Sequence, residues 1–181
     1  QTVLKVSSSR HVRQPASKEL PVERTLVVIR HAKSDWSAPV SDRERPLAPR
    51  GRSQAPAVGE WLADNDITPD VVLVSPATRA MQTWERVSSA MAARRSAPLP
   101  EAVRVEETVY TFDGADIVEA LRAVRPDAGV VAIVGHNPAM EELISTVTGQ
   151  FARMKTSCLA VIEVEGEWSD LGREPNGSAG S

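Results

Sequence analysis

Residues 25–29 read Thr-Leu-Val-Val-Ile, a short apolar and β-branched run with no polar alternation. Such a run predicts a strand covered on both faces, the kind found in parallel sheets. Residues 71–74 and 130–134 read the same way. Between them lie segments with helical spacing. One covers residues 50–65, with Val58, Trp61 and Leu62 on one face. A second runs from Ser75-Pro76 to about residue 92. A third covers residues 114–124, with Ile117, Val118, Leu121 and Val124 on one face, and a fourth follows Asn137-Pro138 to about residue 148. Ser75 and Asn137 each precede a proline, which predicts a capping side chain with proline in the first turn. Pro56 predicts a late start or a kink in the first helix. Val103 and Val105 mark a short strand, and residues 158–164 a last one. Strands alternating with helices predict an α/β sandwich, a mostly parallel central sheet with helices on both faces.

A chain of 181 residues, 41% of them hydrophobic, suffices for one domain with a sizeable core. We place that domain at residues 25–168. Residues 1–24, with three serines in a row and two prolines, form an extension with no apolar segment typical of a secretory signal. Residues 169–181 end in a Gly- and Ser-rich tail. A net charge of -3 with scattered Lys and Arg argues against a nucleic-acid partner. No apolar run is long enough to span a membrane. A single cysteine, Cys158, forbids an internal disulfide, fits a cytoplasmic protein, and reads as a core residue.

The chemistry gathers at strand ends, where open α/β sheets bind ligands. The first strand runs straight into Arg30-His31, and groups of that kind are costly at the mouth of a buried strand unless they are used. The second runs into Ser75-Pro76, with Arg79 in the first turn of the next helix, where a cation opposes the helix dipole. Residues 130–134 lead into Gly135-His136-Asn137-Pro138, with Gly135 letting the backbone turn. Each signal alone is weak, and a lone His at a strand end is more often a packed or solvated residue than a catalyst. Together they bring two imidazoles, two guanidinium forks and two helix N-termini to one sheet edge, a set suited to a phosphoryl dianion. There is no Walker-type glycine loop and no Asp-rich cluster for magnesium. His11 stands apart in the N-terminal extension, so no three-histidine metal site and no cofactor is predicted. With no Ser or Cys in a nucleophile motif, the best nucleophile is an imidazole.

In this order Arg30-His31, Arg45-Pro46-Leu47, Ser75-Pro76-x-x-Arg79-Ala80-x-Gln82-Thr83 and Gly135-His136-Asn137-Pro138 resemble the histidine phosphatase superfamily over about residues 25–165. The short chain is similar to its SixA-type phosphohistidine phosphatases. The resemblance implies a phosphoglycerate-mutase-like three-layer fold and a metal-independent phosphatase with His31 as nucleophile. Arg30, Arg79 and His136 would hold the phosphoryl group, and Arg45 would assist. Asp42 would complete the substrate-binding set. The family usually has Gly after the nucleophile, where this chain has Ala32, which is tolerable at negative φ. Several residues match the general acid: Glu107 or its neighbour Glu106, by analogy with larger members, and Asp42 or Glu44 before Arg45-Pro46-Leu47. The implied partner is a phosphorylated protein or a small phosphorylated metabolite. Phosphohistidine is favoured because it expels an imidazole and needs little help from an acid. Other readings are a small-molecule phosphomonoesterase, a mutase, and a catalytically silent phospho-binding module. The short chain leaves little room for the water-excluding lid a mutase needs.

Overall fold

The structure, a computed structural model, describes residues 3–7, 22–96, 98–99 and 102–173. His11 and the last eight residues of the tail lie outside the described residues. The elements in order are β1 (Val3–Ser7), β2 (Glu23–Arg30), α1 (Pro49–Asp64), β3 (Val71–Val74), α2 (Thr78–Arg95), β4 (Ala102–Val105), α3 (Gly114–Arg122), β5 (Val130–Gly135), α4 (Ala139–Thr148) and β6 (Leu159–Glu165). Short 3-10 turns cover Glu107–Val109 and Trp168–Asp170. The six strands form one sheet in the order β1-β6-β2-β5-β3-β4. β2, β5, β3 and β4 are mutually parallel, β6 is antiparallel to β2, and β1 is parallel to β6. The sheet is mostly parallel, as expected. The reversed pair at one edge includes β1, which comes from the N-terminal extension.

Alternation along the central strands sends side chains into two cores. Leu26 and Val28 of β2 face α3 and α4, packing with Ile117, Leu121, Leu143 and Ile144. Val27 and Ile29 face α1 and α2, packing with Val58, Leu62, Val87 and Met91. All four β2 residues have no exposed surface, which explains the unbroken apolar run. Each large aliphatic side chain buried this way contributes about 1.5–3 kcal/mol. The packing continues past residue 168, because Leu171 is also buried in the α3/α4 core.

Local details differ from the sequence expectations. α1 begins at Pro49 and runs through Pro56, so the late start is not observed. Packing overrides the missing N–H: α1 lies so close to α2 that a Cβ on Gly59 would meet the Val87 carbonyl oxygen at 2.1 Å. Neither Ser75 nor Asn137 caps its helix. α2 starts at Thr78 after Ala77, and α4 at Ala139 after Pro138, with no side-chain cap at either. Both polar side chains are used elsewhere.

Candidate active site

The β2/β5 register pairs Arg30 with Gly135. The two strands therefore end side by side, and their next residues are His31 and His136. The two rings lie 5.2 Å apart between centroids. β3 ends one position earlier, with Val74 opposite Val134. Ser75 thus emerges beside His136, and its Oγ lies 2.7 Å from His136 Nε2. Gly135 has ordinary strand geometry rather than the expected turn. A Cβ there would crowd Met140 Cε at 3.0 Å and Val109 Cγ1 at 3.3 Å, so both side chains would have to shift.

His31 Nδ1 donates to the carbonyl of Ala32 at 2.7 Å. A carbonyl only accepts, so Nδ1 carries the hydrogen and Nε2 of the neutral ring keeps its lone pair. Ala32 is held in turn: its N–H donates to Thr83 Oγ1 at 2.9 Å, and that hydroxyl donates to the Arg79 carbonyl at 2.7 Å. Ala32 is absent from the positive-φ residues and packs with Leu47 and Ala55, so its methyl is accommodated. Burial pushes the His31 pKa down to about 4, helped by Arg79, Arg30 and Arg45 and opposed by the Ala32 carbonyl. Burial also takes His136 down to about 3, with His31 and Arg79 adding to it. Both imidazoles are neutral near pH 7.

Three arginines surround the pair. Arg30 Nη1 donates to the Met154 carbonyl at 2.9 Å. Arg79, which is 5% exposed, donates to Asp42 twice: Nη1 to its carbonyl at 2.6 Å and Nη2 to Oδ2 at 3.1 Å. Arg45 is also buried and reaches Asp42 Oδ1 at 2.9 Å and Ser34 Oγ at 3.3 Å. Its guanidinium carbon sits 3.7 Å from the ring centroid of Trp36. Gln82 Oε1 accepts the Leu47 N–H at 2.8 Å and fixes the Arg45-Pro46-Leu47 segment. Each residue of the Arg79-Gln82-Thr83 motif therefore has a distinct task around His31.

Among the described residues, six buried side-chain N or O atoms have no hydrogen-bond partner. One is the Trp84 indole, in the α1/α2 core. The others are Arg30 Nε, Arg79 Nε, His136 Nδ1, Asn137 Oδ1 and Ser157 Oγ. Ser157 donates its N–H to the His31 carbonyl at 3.3 Å, so all five belong to the His31 neighbourhood. Buried polar groups are normally satisfied, and this concentration marks a site built for a polar ligand.

The acid candidates separate cleanly. Asp42 lies inside the arginine cluster and also accepts from the Tyr110 hydroxyl. Tyr110, Arg79 and Arg45 hold its carboxyl down to about 2. Glu107 is paired bidentately with Arg43 on the exposed rim, and that pairing lowers its pKa. Both features run against the acid role expected for Glu107. Glu106 pairs with Arg104 at 2.7 Å, and Glu44 is exposed with Ser41 as its partner. The structure also adds residues that the sequence did not mark. Ser75 was read as a cap, although Ser75-Pro76 at a strand end was its signal. Tyr110, the one tyrosine in the chain, had none. Its ring meets His136 nearly edge-on, with 5.6 Å between centroids. No group of three or more His, Cys, Asp or Glu side chains among the described residues could hold a metal ion. No helix among them is long and apolar enough to cross a membrane.

The sequence profile of the histidine phosphatase superfamily (branch 1) matches residues 26–109. An uncharacterized protein of Mycobacterium tuberculosis is 32% identical over 154 residues, covering 79% of this chain and 91% of the relative. A protein of Haemophilus influenzae named as a phosphohistidine phosphatase SixA homolog is 30% identical, over 69% of this chain and 77% of the relative. The solved structure of a putative phosphohistidine phosphatase SixA from Nakamurella multipartitia superposes with a TM-score of 0.69. It has 30% identity and covers 83% of this chain and 90% of that one.

Proposed function

The chain belongs to the histidine phosphatase superfamily and is a phosphatase of its SixA-like branch, and we propose that it works through a phosphohistidine on His31 with a phosphorylated histidine of a protein as substrate. The observation that carries this reading is the bond from His31 Nδ1 to the Ala32 carbonyl. It leaves the Nε2 lone pair free on a buried imidazole that stays neutral near pH 7.

The proposed sequence is an in-line displacement. Nε2 of His31 attacks phosphorus, the bond to the leaving group breaks, and water then cleaves the P–N bond of the intermediate. Charge on the equatorial oxygens rises in the transition state, where fixed donors act most strongly. Arg30 Nε, Arg79 Nε and His136 Nδ1 are buried nitrogens with no protein partner, and they suit that task. Arg45, buried with Trp36 against its face, supports from beside Asp42.

The leaving group is the remaining question. Asp42 is the carboxyl nearest this machinery, yet Arg45 and Arg79 are donor-only partners that favour its ionised form. A site with its acid held as carboxylate favours a leaving group that needs little protonation. An imidazole, with an unperturbed pKa of about 6.5, fits better than an alkoxide. The name of the Haemophilus relative agrees with that preference.

The test is acid-quenched trapping with a labelled phosphohistidine carrier protein, followed by mapping of the label. Label on His31, and a His31→Ala variant that is folded but inactive, is the expected result. Label elsewhere, or full activity in His31→Ala, overturns the reading. Higher kcat/KM on a sugar phosphate than on the carrier protein would reassign the substrate to a small metabolite.

A further inference from the structure

Residues 149–158 join α4 to β6 through irregular backbone, and Met154 within them is buried in the α3/α4 core. A buried residue outside helix and sheet has no ladder to take its N–H and carbonyl, so side chains must take them. For Met154 those side chains come from the start of α4. Glu141 Oε1 accepts the Met154 N–H at 2.9 Å, and Asn137 Nδ2 donates to the Met154 carbonyl at 2.8 Å. The same Nδ2 donates to Glu141 Oε1 at 3.1 Å, so three bonds close a ring around one residue.

The carbonyl so clamped is the one that receives Arg30 Nη1 at 2.9 Å. Arg79 and Arg45 are held by the Asp42 carboxylate. Arg30 is held by a backbone carbonyl instead, so its aim depends on what holds that carbonyl. A guanidinium is a rigid planar fork, and fixing a terminal nitrogen also sets where the buried, unpartnered Nε points. Burial pulls the Arg30 pKa down, and the charge of Glu141 opposes that pull.

Resting on the phosphatase reading above, we infer that Glu141 is a positioning residue for Arg30. Together with Asn137 it fixes Met154, and the Met154 carbonyl aims the Arg30 guanidinium at the phosphoryl site. Its effect travels from carboxylate to backbone N–H, and from the carbonyl of the same residue to the guanidinium. Removing the Oε1 acceptor leaves the Met154 N–H unpartnered and Asn137 Nδ2 with one partner, so the ring opens. A group misplaced by about 1 Å can lose up to about 10² in rate, even when the change lies away from the chemistry. An acid in the first turn of α4 also complements the helix dipole. That role alone predicts a lower Tm and an unchanged kcat when Glu141 is removed.

The test is steady-state kinetics on p-nitrophenyl phosphate, with circular dichroism and thermal melting of each variant. Glu141→Ala should lower kcat about tenfold with little change in KM, part of the 10²–10³ that a single donor to developing charge supplies. Glu141→Asp keeps the charge and the helix-dipole contact but falls one methylene short of Met154. It should lose kcat as the alanine does, and it serves if Glu141→Ala does not fold. Glu141→Gln keeps an oxygen able to accept both N–H groups and should stay within about twofold of the wild-type kcat. In an Arg30→Ala background, Glu141→Ala should cost less than about twofold more, because residues acting through one another do not add. Wild-type kcat in Glu141→Ala or Glu141→Asp, a Glu141→Gln as slow as they are, or losses that multiply in the double variant overturn the role of Glu141 and leave the phosphatase reading intact. A wild type that does not hydrolyse the ester, or a fully active His31→Ala, removes the phosphatase reading and this inference with it.

Discussion

The hydroxyl of Ser75 and Nε2 of His136 lie 2.7 Å apart, and both residues are buried. Ser75 Oγ also accepts the Ala77 N–H at 3.2 Å, so the hydroxyl is fixed from the backbone side. This bond fixes the His136 ring with Nδ1 as its unpartnered nitrogen. Ser75→Ala leaves a second ring nitrogen unsatisfied in a buried place, which costs roughly 1–3 kcal/mol. Where that cost falls on the transition state, about 1.4 kcal/mol is tenfold in rate. We expect kcat to fall by about tenfold or more with little change in KM. Steady-state kinetics on p-nitrophenyl phosphate checks this, and an unchanged kcat removes Ser75 from the site.

Arg79 combines two jobs that a lysine cannot share. One nitrogen, Nε, is buried and unpartnered, while the two terminal nitrogens clamp the carbonyl and carboxylate of Asp42. Only a planar fork can serve both sides at once. Arg79→Ala should lower kcat by about 10²–10³, the range for a single donor to a developing oxyanion. Arg79→Lys should recover little of it. A variant that melts lower but turns over at the wild-type rate would make Arg79 a structural residue only.

The sequence made the sheet and the two histidines legible because they follow from local rules. Runs buried on both faces announce central strands, and ladder register then places His31 beside His136. The Asp42–Tyr110 contact was not legible, since it joins residues 68 positions apart through two irregular loops. Ser75 was misread for a related reason. Its position before Pro76 satisfies the capping rule, but the strand end delivers its side chain to His136 instead. Glu107 fitted the acid by its place in the chain, and its pairing with the exposed Arg43, 64 positions away, could not be read there.

The two histidines should also shape stability against pH. Each has an ordinary pKa of 6.5, lowered in the folded protein to about 4 for His31 and about 3 for His136. Between those values the unfolded chain binds protons that the folded chain refuses, so stability drops as pH falls below about 6.5. Asp42 acts lower and in the same direction: its contribution is present above 3.8 and is lost as pH falls toward 2. Thermal unfolding should show a Tm that declines from about pH 6.5 to pH 4, with a smaller slope in His136→Gln. NMR titration of the His31 ring should find it neutral at pH 5.5. A His31 that titrates near 6.5 contradicts the burial argument.

The two carboxylates before and after the mouth should behave in opposite ways when neutralised. Glu107 is 72% exposed and pairs with Arg43 at the rim. Removing its charge loosens a solvent-screened pair, and such pairs contribute about 0–1 kcal/mol. Glu107→Gln should therefore keep kcat within about twofold and stability within about 1 kcal/mol. Asp42 meets Arg79, Arg45 and Tyr110 together. Asp42→Asn removes the anion that Arg79 and Arg45 share and leaves two buried guanidinium groups with a neutral partner. Because Asp42 is held as a carboxylate and brings no proton, we expect its loss to be alike on phenyl phosphate and on p-nitrophenyl phosphate. Inorganic phosphate should bind more tightly because the arginines no longer serve a carboxylate. Phosphate inhibition constants and kcat for both variants on both esters provide the check. If Asp42→Asn costs far more on phenyl phosphate than on p-nitrophenyl phosphate, Asp42 delivers a proton and the carboxylate reading falls, and if Glu107→Gln proves the costlier change, the rim carboxylate takes part in the reaction.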